Sequence, residues 1–269
     1  MPKLQFVKMN GAGNDFVMLD NRAGDVQLGR EQIARLCDRH RGVGADGVLL
    51  IERAGNGADF RMRYYNADGG EAEMCGNGAR CFARFAERVA GARENVSFET
   101  PAGVIAATLK GERVTLRMSD PKDFQADVEV FVLGAHVRGS YVDSGVPHMV
   151  VPVPTIEDVD VRQLGSAIRH HERFAPRGAN VNFLEQRGSN EIAIRTYERG
   201  VEDETLACGT GVVASALIFA AAGEIPGPIQ VLVRGGDEMS VDFRRDGSRF
   251  TDVTLSGPAD FVFEGTVEV

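Results

Sequence analysis

The sequence predicts an α+β fold made of two pseudo-symmetric, duplicated domains, each a curved, mostly antiparallel sheet wrapped around a central helix. The motif Glu-x-x-x-Cys-Gly-x-Gly occurs twice, in EAEMCGNG (71–78) and in ETLACGTG (204–211), 133 residues apart. Segments around both copies alternate apolar and polar residues with the period of two expected of half-buried strands. A chain of 269 residues is long enough to hold two such domains.

The same elements follow one another in each half. EQIARLCDRH (31–40) and VRQLGSAIRHH (161–171) have helical patterns at about the same offset. Strand patterns surround them in VSFET, VTLRMS, VNFLEQ, EIAIRTY, IQVLVRG and TDVTLSG. LKGERVTL (109–116) and FRRDGSRF (243–250) resemble hairpins, the second with an Asp-Gly turn signal, and both favour antiparallel pairing. We place the boundary in SDPKDFQAD (119–127), which predicts domains at 1–119 and 120–257.

The helices that follow the two cysteines have different patterns. Residues 78–90 carry one apolar stripe, and three arginines are expected outside it, namely Arg80, Arg84 and Arg88. Gly91 is suited to end this helix. Residues 211–222 are nearly all apolar, so the second helix is expected to be enclosed on all sides and to end at Gly223.

Composition limits the possible partners and compartments. The formal charge of −9 and the lack of basic runs argue against a nucleic-acid partner. The longest apolar run, VVASALIFAAA (212–222), is shorter than the ~20 residues of a membrane span, and the start shows no signal-peptide pattern. We therefore expect no membrane partner and a cytoplasmic location.

The four cysteines are too few for a disulfide framework and lack zinc-ligand spacing, so no metal is expected. Cys37 and Cys81 fall inside helical patterns and are expected to be small buried hydrophobes. Cys75 and Cys208 each precede a Gly-x-Gly that opens a helix. A helix N-terminus favours a thiolate, and its free N–H groups can hold a carboxylate.

Two such thiols suggest inversion at one carbon. If a duplicated unit brings them to opposite faces of a bound amino acid, one thiolate can remove the α-proton and the other thiol can return a proton. The amides would stabilise the charge that develops on the carboxylate. The alternative interpretation is two structural glycine-rich helix caps with incidental thiols, which the shared glutamate and half-chain spacing disfavour.

Several longer segments resemble the diaminopimelate epimerase family along nearly the whole chain. They are MNGAGNDFVMLD, GVGADGVLL, YYNADGGEAEMCGNGARC, GVPH, NVNF and YERGVEDETLACGTG. The resemblance implies an isomerase that needs no pyridoxal phosphate or other cofactor and interconverts LL- and meso-diaminopimelate, on the way to lysine and peptidoglycan. It also implies a homodimer, a site in a closing cleft between domains, and a C-terminal strand (258–269) that completes the first domain.

The resemblance also implies residue roles. Cys75 and Cys208 match the two acid–base thiols. The backbones of two pairs match the binding of the reacting carboxylate: Gly76 with Asn77, and Gly209 with Thr210. Three asparagines match substrate-holding groups: Asn14, Asn66 and Asn180. Glu198 and Arg199 match recognition of the distal zwitterion, and His148 with Glu198 match groups that tune the thiols.

Two positions depart from the family pattern. Some members have Gln where Gly47 stands and Asn where Val146 stands, so neither residue is expected to contact substrate through its side chain. GVGADG (42–47) matches a dinucleotide pattern, but it follows a helix and precedes a strand, which is the reverse of the required order.

Other functions remain as alternatives. A related cofactor-free proline or hydroxyproline racemase is disfavoured because a substrate with one charged end leaves Glu198 and Arg199 without a role. A thiol-disulfide oxidoreductase would favour C-x-x-C, which does not occur. A non-catalytic amino-acid binder would have no use for two thiols.

Overall fold

The computed structural model of the chain describes residues 3–91, 93–247 and 249–269. These residues form eighteen strands and four α-helices, which confirms the predicted sheet-rich α+β class. By their internal contacts they divide into a first unit, Met1–Leu116 with Gly257–Val269, and a second unit, Arg117–Ser256. The predicted domains, 1–119 with 258–269 and 120–257, stay a prediction about parts of the chain that fold independently.

The first unit is a mixed, mostly antiparallel sheet with two helices. Its elements are β1 (Lys3–Gly11), β2 (Asn14–Asp20), α1 (Arg30–Cys37), β3 (Gly47–Arg53), β4 (Phe60–Asn66), β5 (Glu71–Ala72), α2 (Gly76–Ala90), β6 (Asn95–Thr100), β7 (Gly103–Lys110), β8 (Arg113–Arg117) and β18 (Asp260–Glu268). The strand β18 pairs antiparallel with β1. The last strand of the chain therefore adds to the sheet built by the first residues.

The second unit has the same composition of elements. They are β9 (Lys122–Val132), β10 (Ala135–Asp143), β11 (Pro147–Pro152), α3 (Val161–Arg169), a 3-10 turn (Glu172–Phe174), β12 (Asn180–Gln186), β13 (Glu191–Glu198), β14 (Asp203–Thr205), α4 (Gly209–Gly223), β15 (Ile229–Leu232), β16 (Glu238–Asp246) and β17 (Arg249–Pro258). Here β9 pairs antiparallel with β10, as β18 does with β1 in the first unit.

The duplication predicted from the motifs is confirmed by the order of strand pairing. In each unit one helix joins two parallel strands: α1 lies between β2 and β3, and α3 lies between β11 and β12. A second helix again joins two parallel strands: α2 lies between β4 and β6, and α4 lies between β13 and β15. Three pairs of consecutive strands are antiparallel in each unit: β1–β2, β3–β4 and β6–β7 in the first, and β10–β11, β12–β13 and β15–β16 in the second.

The expected enclosure of α4 is confirmed for residues 211–220, whereas Ala222 and Gly223 at its end are exposed. Residues 211–220 are all buried, and the helix packs against β10, β11, β12, β13, β15 and β16 of its own unit. A helix that is apolar all round must be covered on all sides, which explains why strands surround it. The helix ends at Gly223, as predicted, with Glu224 as its cap.

The expected position of Arg80 is wrong. Its side chain is 0% exposed, whereas Arg84 is half-buried and Arg88 is exposed. Arg80 Nε donates to the carbonyl of Pro258 at 3.1 Å, and Arg84 Nη1 donates to that of Ala259 at 2.9 Å. The returning C-terminal segment covers the face of α2 that the helical pattern assigns to solvent.

The end of α1 also differs from the prediction. The helix α1 ends at Cys37 rather than at residue 40, because the N–H groups of Val43 and Gly44 both donate to the Leu36 carbonyl in a turn.

The hairpin at LKGERVTL is confirmed, with Lys110 opposite Arg113. In the second hairpin Asp246 lies opposite Arg249, while Ser248 lies outside the described residues.

Candidate active site

Cys75 and Cys208 occupy the same position in the two units, the N-cap of the helix that crosses between parallel strands. Both have an extended backbone, with φ −138° and ψ 121° at Cys75 and φ −119° and ψ 111° at Cys208. Each cysteine carbonyl accepts the first helical hydrogen bond, from Ala79 at 2.7 Å and from Val212 at 2.9 Å. Each thiol therefore lies at the positive end of its helix macrodipole.

The surroundings of the two sulfurs differ. Cys75 Sγ accepts a hydrogen bond from the backbone N–H of Gly78 at 3.5 Å. Cys208 Sγ lies 3.5 Å from the hydroxyl oxygen of Thr210. In the first turn of a helix the N–H groups have no intrahelical acceptor, so those of Gly76, Asn77, Gly209 and Thr210 are suited to bind an anion.

In the first unit, two predicted substrate residues are joined directly. Asn77 Nδ2 donates to Asn14 Oδ1 at 2.5 Å, and Arg80 Nη2 donates to Asn77 Oδ1 at 3.0 Å. Asn14 Nδ2 in turn donates to Asp46 Oδ2 at 3.0 Å. Arginine can only donate and carboxylate can only accept, so this chain fixes the orientation of both amides.

A charged cluster lies behind Asn14. Lys8 and Arg39 bind Asp15 at 2.7 Å and 2.8 Å, and Arg39 also binds Asp46 at 2.9 Å. Burial alone would raise the pKa of Asp15, but Arg39 and Lys8 lower it to about 2. Lys8 also donates to the Gly44 carbonyl. Asp15 therefore stays ionised, and the ion pairs of this cluster hold together the segments that carry Asn14 and Asp46.

In the second unit, the predicted residues form one hydrogen-bonded group around His148. The ring Nε2 lies 3.0 Å from Thr210 Oγ1 and 3.4 Å from Asn180 Nδ2. The ring Nδ1 lies 3.0 Å from Asn182 Nδ2. Asn180 Oδ1 accepts the backbone N–H of Arg199 at 2.7 Å. The structure thus brings Cys208, Thr210, His148, Asn180 and the backbone of Arg199 together.

The His148 side chain is fully buried. Burial, and then the charge of Arg199, lower its pKa from 6.5 to about 3. Because the ring is neutral at ordinary pH, it acts on its neighbours through hydrogen bonds rather than through a positive charge.

Glu198 is the last residue of β13, and Arg199 begins the turn that follows. Glu198 Oε2 accepts the hydroxyl of Thr205 at 2.9 Å, and Arg199 Nη1 donates to the Arg177 carbonyl at 3.3 Å. Burial raises the pKa of Glu198, an effect that the Thr205 hydrogen bond opposes. A cationic ligand group beside this carboxyl would favour its ionised form.

Asn66 and Gly47 lie opposite each other in β4 and β3, and Asn66 is exposed. A Cβ at Gly47 would lie 2.5 Å from the Tyr65 carbonyl oxygen and 2.6 Å from the Tyr64 ring. The backbone here leaves no room for a side chain at position 47. Val146 is half-buried, and its carbonyl accepts the N–H of Ser144 at 3.2 Å.

The other two cysteines have a different environment. Burial raises the pKa of Cys37 to about 11 and that of Cys81 to about 12. Both thiols are therefore protonated and packed in the core, in agreement with the structural role expected for them. Among the residues that the structure describes, no group of three or more His, Cys, Asp and Glu side chains could hold a metal ion.

Sequence reasoning missed Asn182, Thr196 and Arg80. Asn182 is 0% exposed, and its Oδ1 accepts the Thr196 hydroxyl at 2.9 Å. One signal was available for Asn182. It lies two residues after the predicted site residue Asn180 in β12, and residues two apart in a strand share a face of the sheet. No sequence signal marked Arg80 as buried.

No helix in the described part of the chain combines the length and apolar composition needed to cross a bilayer.

Comparisons with known proteins agree with the motifs. A family model described as diaminopimelate epimerase matches residues 6–123 and 140–262. The chain is 42% identical to the diaminopimelate epimerase of Aquifex aeolicus, over 97% of each chain. It is 42% identical to that of Chlorobaculum tepidum, over 96% of this chain and 99% of the relative. A PhzF-family phenazine biosynthesis protein from Bacillus anthracis matches the fold with TM-score 0.75 at 17% identity, over 100% of both chains.

Proposed function

The chain belongs to the diaminopimelate epimerase family and is an isomerase, and from that premise we propose that it interconverts LL- and meso-diaminopimelate with Cys75 and Cys208 as its two acid–base groups. The observation that carries the proposal is the shared position of the two thiols. Each is the N-cap of the crossing helix in its own unit, with nearly the same backbone conformation. A structural cap needs no thiol at that position, since Ser, Thr, Asp and Asn are better caps.

The proposed reaction is inversion at one α-carbon. One cysteine, as thiolate, takes the α-proton and becomes a thiol while the C–H bond electrons pass into the carboxylate. The other cysteine, as thiol, delivers its proton to the opposite face and becomes a thiolate. No cofactor enters this scheme. The helix N–H groups of Gly76, Asn77, Gly209 and Thr210 stabilise the charge that gathers on the carboxylate.

The remaining residues are proposed to hold the substrate. Asn14, Asn66 and Asn180 provide amide contacts, and the fixed orientation of Asn14 and Asn180 supports this role because it defines which atoms each amide offers. Glu198 and Arg199 are proposed to bind the ammonium and carboxylate of the distal centre. Their adjacent, opposite charges match a zwitterion.

His148 and Glu198 are proposed to tune the thiols. The contact of His148 with Thr210, and of Thr210 with Cys208, supports this role for the histidine. The reaction is proposed to supply lysine and peptidoglycan synthesis in the cytoplasm, and the active form is proposed to be a homodimer.

The proposal is tested by single Cys75→Ala and Cys208→Ala variants. Each should lose at least about 10³-fold in epimerisation of diaminopimelate, because one face of the carbon then lacks its acid or base. Cys81→Ala is the matched control, since that thiol is buried in the core of the first unit. Near-normal turnover by either catalytic variant would contradict the two-base scheme.

A further inference from the structure

The hydrogen bonds around His148 determine which ring nitrogen carries its proton. A neutral imidazole has one donor and one acceptor nitrogen, and its neighbours select the tautomer. Asn182 Nδ2 lies 3.0 Å from Nδ1, and Thr210 Oγ1 lies 3.0 Å from Nε2. A hydroxyl can accept or donate, whereas an amide nitrogen can only donate. The amide of Asn182 is therefore the neighbour that decides.

The orientation of the Asn182 amide is fixed by the backbone. Its nitrogen also lies 3.3 Å from the Met149 carbonyl oxygen, which can only accept. On the other side, Oδ1 accepts the Thr196 hydroxyl. Exchanging the amide oxygen and nitrogen would set two oxygens against each other at Met149. Asn182 Nδ2 therefore donates to His148 Nδ1, and this ring nitrogen carries no proton.

The second amide beside the ring competes with Asn182, but its contact with the ring is longer. Asn180 Oδ1 accepts the backbone N–H of Arg199, so Asn180 presents its nitrogen to His148 Nε2 at 3.4 Å. Both amides thus offer donors, but a neutral ring accepts from only one of them. The 3.0 Å contact of Asn182 with Nδ1 is shorter than the 3.4 Å contact of Asn180 with Nε2, so the ring accepts from Asn182. The proton on Nε2 is accepted by the Thr210 hydroxyl oxygen, and the proton of that hydroxyl is left to point at Cys208 Sγ, 3.5 Å away.

We propose that Asn182 is a positioning residue, which fixes the Nε2–H tautomer of His148 and so directs the Thr210 hydroxyl proton toward Cys208 Sγ. The inference rests on the proposed acid–base role of Cys208 and adds how its sulfur receives a hydrogen bond when it is a thiolate. A donor aimed at the sulfur stabilises the thiolate relative to the thiol. Arg199 is the charged group that acts on this ring, and its charge also disfavours a second proton there.

The chain provides room for this arrangement at Gly211. A Cβ on Gly211 would lie 2.4 Å from Asn182 Oδ1, so the second glycine of the Cys-Gly-x-Gly motif lets the amide reach the start of α4. The arrangement is specific to the second unit. At the 133-residue offset the first unit has Leu49 for Asn182 and Asp15 for His148. The two thiols are thus held by different donors, a hydroxyl at Cys208 and the Gly78 amide at Cys75.

The tautomer can be read directly from the ¹⁵N chemical shifts of the histidine ring in the full chain. The chain has five histidines, and a His148→Gln variant identifies the signals of this ring. We expect a protonated Nε2 and an unprotonated Nδ1 throughout the neutral range. A protonated Nδ1 in the wild-type protein would overturn the inference without any variant.

Asn182→Leu tests the cause, because leucine has a similar size and no donor. We expect the ring to lose its single Nε2–H signature and kcat for diaminopimelate to fall about 10-fold or more with little change in KM, since one hydrogen bond to a charged sulfur is lost. Thr196→Val is the matched control. It removes the bond to Asn182 Oδ1 only and should keep the Nε2–H signature.

The outcomes separate this inference from the proposed function. If the protein shows the Nε2–H signature but does not turn over diaminopimelate, the proposed function is contradicted and the tautomer assignment is supported. An active enzyme whose Asn182→Leu variant retains both the Nε2–H signature and full kcat would overturn the role of Asn182.

Discussion

Replacing His148 with glutamine should remove a defined part of the pH dependence of stability. The side chain is fully buried, and burial with the charge of Arg199 lowers its pKa from 6.5 to about 3. The unfolded chain takes up a proton near pH 6.5, whereas the folded chain stays neutral at this site until about pH 3. The free energy of unfolding therefore falls as the pH drops through this window, and the contribution of His148 is complete above it.

The size of the effect follows from the two pKa values. Between them, each pH unit costs about 1.4 kcal/mol of folding free energy. From about pH 6.5 to about pH 4.5 the loss attributable to His148 is on the order of 2 kcal/mol. Asp15 affects stability at lower pH than His148 does. Its pKa is lowered from 3.8 to about 2 in the folded chain, so its contribution to the free energy of unfolding is lost as the pH falls through that range. The raised pKa of Glu198 acts in the opposite sense, and Glu198 is present in both proteins.

The measurement is urea unfolding at several pH values between about 4.5 and 7.5, for the wild type and for His148→Gln. The variant should lose less stability on acidification than the wild type, by about 2 kcal/mol over the range. His136→Gln is the control for the substitution itself, since that imidazole is exposed beside Glu129, and the change produced by His148→Gln should exceed the change that it produces. Parallel curves for the wild type and His148→Gln would refute the buried, neutral state of this ring.

Three further variants test the fold and the substrate contacts. Arg80→Met should lower the free energy of unfolding by about 2 kcal/mol or more, because it removes the buried donors to Pro258 and Asn77, whereas Arg88→Met, at an exposed ion pair, should cost less than about 1 kcal/mol. Equal costs in chemical denaturation would contradict the packing described for α2. Gly47→Ala should destabilise by about 1–3 kcal/mol because its Cβ meets the Tyr65 carbonyl, while Gly55→Ala, which meets nothing within 4 Å, should be nearly neutral. A neutral Gly47→Ala in a thermal melt would show that the crowding is absent. Arg199→Ala should weaken binding of diaminopimelate about 10-fold or more by calorimetry, with exposed Arg162→Ala as control, and unchanged affinity would exclude Arg199 from recognition.

Much of the fold was predictable because it depends on local sequence patterns, namely the spacing of motifs and the period of apolar residues. The repeated Cys-Gly-x-Gly at one offset predicts two equivalent helix starts, and both cysteines are indeed N-caps. The almost uniform apolarity of residues 211–222 predicts a helix with no exposed face, and this is confirmed for residues 211–220. These inferences need only residue spacing and the period of each element.

What the sequence did not reveal depends on segments that are distant along the chain. Arg80 lies on the polar side of its helical pattern, and only the return of the C-terminal segment, with its Pro258 carbonyl, buries that side. Asn182 is one of several polar residues in β12, and its importance depends on the ring of His148 in the neighbouring strand. The substrate-holding roles of Asn14, Asn66, Asn180, Glu198 and Arg199 stay predictions.

The most direct measurement of the central claim is epimerisation of diaminopimelate in heavy water, followed by mass spectrometry at early times. With one thiolate removing the proton and a separate thiol supplying another, each newly formed product molecule should carry deuterium at the inverted carbon, while unreacted substrate stays unlabelled. Product that keeps the original proton would contradict two separate acid–base groups. Labelling of proline in place of diaminopimelate would contradict the substrate.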